Sequence, residues 1–432
     1  MRILSLSLSL SLSLSTWQNR VKSLVVGNIL AIVFVGLLFP ATTFASSWSE
    51  TAQSTAADSA ANAGFGRSVS VSGTTSVYGS PYAEVGAIRD AGAAYVMLNS
   101  TQQAKLTASD AAEIDYFGFA VALDTDTAAV GAYGADAGGK QDSGAVYIFT
   151  RSGSTWSQVA KLTASNAAVG DQFGVSLALQ DGTLVIGAHQ KDSGAGAAYV
   201  FTGSGNSWSE RKILTGAADE SFGAAVALDS STILVGAPVA NAAAGAAYVF
   251  VGTGSIWLQQ SHLTASDGAA GDMFGLHLAI SGDRALVAAE YATIDSKENA
   301  GAVYYFKRAT LTWSQTSKLT ASDAAAQMQF GSSVALDNDM AVIGAYRAGS
   351  SGAVYNFLYS DGVGFTQEAK QTPTSNISSN GLFGSAVAIS RNTLTAIVGA
   401  SNNSFSTAYK FLRAAITAGL FGTTSFGNAT FQ

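Results

Sequence analysis

The sequence predicts an all-β ring of seven blades, each a four-stranded antiparallel sheet, closed by a strand from the N-terminal side. Three observations carry this. The dipeptide Phe-Gly recurs at Phe65-Gly66, Phe117-Gly118, Phe173-Gly174, Phe222-Gly223, Phe274-Gly275, Phe330-Gly331 and Phe383-Gly384, at intervals of 49 to 56 residues. A fixed period near fifty marks a supersecondary unit that covers its apolar face with its neighbours. Within each period the apolar runs are short, rich in Val, Ile, Tyr and Phe, and bounded by Gly, Ser, Asn or Asp, which is strand chemistry; none is long enough for a helix. Finally, a Trp-led strand precedes the first Phe-Gly, and no counterpart follows the last.

Each unit yields four strands in order. Strand a follows Phe-Gly, as Val121-Ala122-Leu123 follows Phe117. Strand b ends in Gly-Ala, as at Gly131-Ala132, Gly187-Ala188, Gly236-Ala237, Gly344-Ala345 and Gly399-Ala400. Small residues recurring in register there suit strands crowded near an axis. Strand c reads Gly-Ala-Val-Tyr-Ile-Phe at 144–149, and strand d starts from Trp156 and runs into Lys-Leu-Thr-Ala-Ser at 161–165. Trp48-Ser49-Glu50 stands seventeen residues before Phe65, the distance that separates Trp156 from Phe173. The segment from Trp48 to Gln53 is therefore expected to pair with the last blade and close a seven-bladed β-propeller.

The seven Phe residues are expected in the core between blades. The aromatic slot at Trp48, Trp156, Trp208, Trp257, Trp313 and Phe365 has two readings, packing at the outer strand or carbohydrate stacking, and recurrence at one structural position favours packing.

Residues 1–45 form a leader. Arg2, Arg20 and Lys22 precede an apolar stretch from Ser23 to Phe39 and a small-residue exit around Ala45, the layout of a secretory signal. The stretch is at the short limit for spanning a bilayer, so an uncleaved anchor is the alternative, and it would leave the ring outside the cell. Residues 46–411 form the propeller and 412–432 a Gly-rich extension. The expected location is secreted or on the extracellular face of the membrane, with membrane contact only through that anchor. Four Asn-x-Ser/Thr patterns, the first at Asn99, are glycosylation acceptors in a eukaryotic secretory route.

The chain has no cysteine, which excludes a disulfide framework and thiol chemistry. Removing the leader takes away three positive charges and no negative one, which moves the formal net charge from −7 to −10. Nucleic acid is thereby excluded as a partner, since phosphate binding needs a basic stripe.

The Phe-Gly units that close on Val-Gly-Ala, or on Val235-Gly236-Ala237-Pro238, resemble the FG-GAP repeat of integrin alpha-subunit propellers over residues 48–411. The resemblance implies a seven-bladed propeller, extracellular and used for adhesion or ligand binding. Integrin-type repeats often hold a calcium loop of Asp-x-Asp-x-Asp-Gly type. Here the equivalent turns are short: Asp124-Thr125-Asp126, Gln180-Asp181-Gly182, Asp229-Ser230-Ser231, Ser281-Gly282-Asp283 and Asp337-Asn338-Asp339. One or two carboxylates do not fill a shell of six to eight oxygens. No cofactor is expected, and these turns read as hairpins built from turn-favouring residues.

In a meander the a–b and c–d turns emerge on one side and the b–c and d–a connections on the other. The latter are long and variable here, and binding residues gather on variable loops held by a rigid scaffold. That side carries about half of the 29 acids, including Asp115, Asp136, Asp171, Asp192, Asp272 and Glu290, and also Tyr133, His189, Tyr291, Tyr346 and Arg347. These eleven residues are the candidate ligand-binding face. The Asp two before Phe-Gly, at 115, 171 and 272, has a second reading as a side-chain cap on the backbone. No catalytic residue is assigned: three histidines allow no repeated cage or triad, and no nucleophile elbow or phosphate loop occurs. Three functions follow, in order: a non-enzymatic extracellular binding or adhesion module for a protein or glycan, a structural surface or matrix protein without a discrete ligand, and a hydrolase using loop carboxylates on carbohydrate.

Overall fold

In a computed structural model the described residues are 48–58, 60, 62–374, 381–390, 392–401 and 406–414. The leader and nearly all of the C-terminal extension lie outside them. Twenty-eight strands form seven four-stranded sheets. Strand β1 (Trp48–Ser54) opens the chain. Blade 1 holds β2 (Ser68–Ser72), β3 (Thr75–Ser80), β4 (Ala93–Leu98) and β5 (Thr101–Leu106), neighbours in that order. Blades 2 to 6 repeat the meander as β6–β9 (120–162), β10–β13 (176–214), β14–β17 (226–263), β18–β21 (278–319) and β22–β25 (333–371). Blade 7 takes β26 (Phe383–Ser390), β27 (Thr395–Ser401) and β28 (Ser406–Arg413) from the far end and β1 as its fourth strand.

The closure expected from the Trp48 spacing is thus present. β1 runs antiparallel to β28, from Trp48 opposite Arg413 to Ser54 opposite Ala408. Glu368 of blade 6 accepts hydrogen bonds from the Trp48 indole (3.1 Å) and from two nitrogens of Arg413 (3.0 and 2.6 Å). Glu50 accepts the backbone N–H and hydroxyl of Thr374.

The Phe-Gly dipeptide recurs because it joins two blades. All seven Phe side chains are fully buried. Phe117 packs against Tyr147 and Phe149 of blade 2, in one cluster with Val77, Ala94 and Val96 of blade 1. Its N–H donates to the Ala91 carbonyl of blade 1, and the Gly118 N–H donates to Gly131 of blade 2. The same pair of bonds recurs at Phe173-Gly174 (Ser143, Gly187) and Phe222-Gly223 (Ala195, Gly236). Gly118 has φ of 93°, a left-handed conformation that costs glycine little.

One expectation needs correcting. The strand-b glycine does not crowd an axis. The strands lining the central channel are the a strands, and the glycine of strand b faces the Phe-Gly carbonyl of the next blade. A Cβ on Gly187 would come within 2.0 Å of the Gly223 oxygen, and one on Gly399 within 2.1 Å of the Gly66 oxygen across the closing seam, both far inside van der Waals contact. Blade 5 has Ala288 at this place, with its methyl 3.0 Å from where a Cβ on Gly331 would lie.

The Trp slot is packing. Trp156, Trp257, Trp313 and Phe365 are buried, while Trp48 and Trp208 are half-buried. The indoles of Trp156 and Trp313 donate to Gln103 and Gln260 on the outer strand of the preceding blade.

Candidate functional site

The Lys-Leu-Thr-Ala-Ser-Asp stretch links one blade to the next. Asp267, seven residues before Phe274, accepts the Tyr304 hydroxyl (2.8 Å) and the Lys318 ammonium (2.9 Å). Asp323 does the same with Tyr355 and Lys370, and Lys161 and Lys105 hold Asp110 and Asp58. In each case the Lys ammonium lies 5.2–5.7 Å from the centre of the strand-c Tyr ring. Partial burial opposes ionisation of Asp267, yet the Lys318 and Tyr304 bonds outweigh it and hold the carboxyl below its ordinary range. Burial and then the Asp267 bond push the Tyr304 phenol well up. The adjoining Ser is gripped as well: Gln158 bonds both the N–H and hydroxyl of Ser109, as do Gln315 with Ser266 and Gln367 with Ser322.

The short-turn side is bolted in another way. The last residue of strand a accepts the turn N–H of the next blade: Ser72 from Thr125, Asp124 from Asp181, Gln180 from Ser230, Asp229 from Gly282 and Ser281 from Asn338. The short turns thus carry an interblade circuit. Among the described residues no three His, Asp or Glu side chains converge as a metal site.

The loop-side acids divide. Asp115, Asp171 and Asp272 are buried and accept the N–H three residues upstream, from Ala112, Ala168 and Ala269 at 2.7, 2.7 and 2.8 Å, the geometry of the cap reading. Burial pushes the Asp115 carboxyl up against that bond. Asp171 also meets buried Lys191 (3.3 Å), which Asp192 reaches from the surface (2.9 Å). Asp136 braces its own loop by accepting the Asp142 N–H.

The remaining candidates gather around the mouth of the channel. A cavity of about 610 Å³ runs between the a strands, with Arg67, Phe119, His189, Met273 and His277 at the loop side. Three places in each unit supply the mouth: the residue before Phe-Gly, the residue after it, and the residue after Gly-Ala. The first takes a left-handed backbone in every unit, as Tyr116, Gln172, Ser221, Met273, Gln329 and Leu382, with glycine at 64. These places vary while their flanks do not.

The variation is uneven around the ring. At blades 1 and 2, Tyr116 stacks on Tyr133 (5.2 Å), Phe119 meets Tyr133 edge-on (4.6 Å), Tyr82 meets Tyr116 edge-on (5.7 Å), and Arg67 covers Phe119 (5.1 Å). Burial and the neighbouring phenols push Tyr133 up to about 12. At blades 5 and 6, buried Glu290 faces His277 (3.5 Å), and Arg347 lies over Tyr346 (5.6 Å). Burial and then Glu290 push Tyr291 up to about 12, with Tyr346 and Arg347 near enough to act on it. His189, whose pKa burial lowers, has an Nδ1 without a partner among the described residues. A second, polar cavity of about 400 Å³ brings Asp267, Asp272, Tyr291, Glu298 and Lys318 together.

Of the residues singled out in the sequence, Tyr133, His189, Glu290, Tyr291, Tyr346 and Arg347 fall in these two clusters or on the cavity, and Arg67, Tyr82, Tyr116 and Phe119 join them without having been singled out. Comparing the units at the positions flanking Phe-Gly would have exposed Tyr116 and Phe119, since aromatic residues stand there in no other unit.

The family model described as FG-GAP repeat matches residues 48–97, 100–149, 156–201, 208–250, 257–306 and 313–357. Each matched stretch opens on strand d of one blade and ends on strand c of the next, so the repeat straddles a seam. No curated protein matches the chain.

Proposed function

The chain belongs to the FG-GAP repeat family, and from that premise we propose that it is a non-enzymatic extracellular binding or adhesion module whose ligand face surrounds the loop-side mouth of the channel. Propellers of this family are commonly binding modules and are typical of extracellular proteins. No described helix is long and apolar enough to cross a membrane. The observation that supports the mouth is the contrast within the repeat. The positions that join blades do one job from unit to unit, whereas the three positions that touch the mouth carry a mixture of aromatic, amide, aliphatic, hydroxyl and charged residues. A rigid frame carrying variable side chains at one opening is how scaffolds present ligands with specificity.

The reading places secretion in the leader and assigns the channel mouth a protein or glycan partner, with no resident metal. It is tested by retention of the protein on intact cells of the organism that makes it, with Tyr133→Ala/Tyr346→Ala as the loop-side variant and Ser72→Ala as the short-turn control. Loss of retention in the first and not in the second is expected. Equal retention of both would remove the mouth from the function.

A further inference from the structure

We propose that Tyr82 is the platform of a carbohydrate site that takes a neutral polysaccharide by stacking against a sugar ring; this deepens the binding-module reading and rests on it. The indoles that looked like stacking residues in the sequence are committed to blade packing. A different set of rings, Tyr82, Tyr116, Tyr133 and Phe119, reaches the loop side.

Within that set the inner faces are already used. Tyr116 and Tyr133 lie nearly parallel, 22° apart, Phe119 abuts Tyr133, and Arg67 covers Phe119. The rings are closed onto one another, so they leave no open cage for a quaternary amine. Tyr82 is the exposed member, at 38%. It is also held. Its N–H donates to the Ala63 carbonyl (3.1 Å), and its ring rests against Gly64, where a Cβ would come within 2.8 Å of Cδ2. Its edge contact with Tyr116, at 81°, fixes the plane. An aromatic ring immobilised before binding loses little entropy on contact.

The surroundings match a hydroxyl-rimmed ring. The exposed Arg89–Glu113 ion pair (2.8 Å) lies on the segments that lead to Asp90 and Tyr116, with Arg89 near enough to act on the Tyr116 phenol. The Tyr116 N–H donates to the Asp90 carbonyl, and the Ile114 N–H to that of Arg89. Carboxylates and guanidinium groups supply planar acceptors and donors for neighbouring hydroxyls. Asp90, Glu113 and Asp142 outnumber Arg67 and Arg89 around this cluster, which disfavours a polymer of uronates or sulfates by like charge.

The test is affinity gel electrophoresis of the protein against laminarin, mannan and xylan, with alginate as the anionic comparison. At least one neutral polymer is expected to retard the protein, and alginate is not. Tyr82→Ala should weaken that association by about tenfold or more, Tyr82→Trp should preserve it, and both variants should still unfold in one cooperative transition as the parent does. No retardation by any neutral polymer, or retardation unaffected by Tyr82→Ala, overturns the proposal. If no neutral polymer binds while cell retention still depends on Tyr133 and Tyr346, the sugar site fails and the binding module stands. If retention is also insensitive to those residues, both fail.

Discussion

The two sides of the ring solve opposite problems with the same repeat. On the short-turn side the end of each a strand accepts the next blade's turn N–H, and the residues that do it, Ser72, Asp124, Gln180, Asp229 and Ser281, differ in type while sharing one job. On the loop side Tyr116, Gln172, Ser221, Met273 and Gln329 share one backbone conformation but span four side-chain chemistries. Variation among residues that all carry a side-chain acceptor is tolerance. Variation among aromatic, amide, hydroxyl and thioether groups at one opening gives each sector of the mouth its own character.

Breaking the frame should cost more than altering the mouth. The largest effect is expected from deleting residues 48–54, which leaves β28 as an unpaired edge and Glu368 without Trp48. Gel filtration should then show aggregates in place of a monodisperse ring; a monomer that unfolds as cooperatively as the parent would refute closure as a stabilising device. Next, Phe173→Ala empties a fully buried site between blades 2 and 3 and should cost about 3–5 kcal/mol in denaturant unfolding.

A smaller effect separates the seams. Gly187→Ala forces a methyl onto the Gly223 carbonyl and should destabilise by about 1–3 kcal/mol. The converse change in blade 5, Ala288→Gly, should cost about 1 kcal/mol. Equal costs would mean that the two seams approach alike after all.

The ionic links on the loop side respond to pH. A carboxyl whose folded pKa is depressed, as in Asp110, Asp267 and Asp323, contributes stability above its unfolded value, and that contribution is lost as pH falls through the folded value. The unfolding midpoint should therefore fall below about pH 4. Asp267→Asn/Asp323→Asn should lower the midpoint at neutral pH and shrink the acid drop; an unchanged drop would place the acid sensitivity elsewhere. The smallest expected effect is that of calcium. Asp124 and Asp229 already serve as acceptors for backbone N–H groups, so millimolar calcium or chelator should leave the midpoint where it was. A clear shift would make the short turns a metal circuit as well as a backbone one.

The architecture was legible because it repeats. Seven Phe-Gly pairs and the Trp48 spacing sufficed for the blade count and the closing strand, since both depend on order along the chain. The role of strand-b glycine was misread because sequence shows that a residue must be small and not what approaches it. The charge of Asp110, at the end of a Lys-Leu-Thr-Ala-Ser-Asp stretch, is met by Lys161 from 51 residues away, a pairing that spacing alone does not reveal. The aromatic cluster was out of reach in full because Tyr82, Tyr116 and Tyr133 come from three segments of two blades, and their meeting is a property of the ring.

Among the described residues the seam between blades 6 and 7 has the smallest apolar cluster, eight buried side chains against seventeen between blades 4 and 5. Asn356 is buried with an amide that finds no partner among the described residues, and Gln371 stands where blades 1 to 5 place Leu.

The pairing of β1 with β28 also has a mechanical meaning. Trp48 and Arg413 face each other at one end of the strand pair, so the chain enters and leaves the ring side by side. Tension applied between those two points would peel the pair one bond at a time from that end, without having to shear all of them together. Glu368, which holds both Trp48 and Arg413, is the first latch such a pull would meet. A tether at one end of the chain leaves that latch unloaded, and a tether at both ends makes it the place where the ring opens.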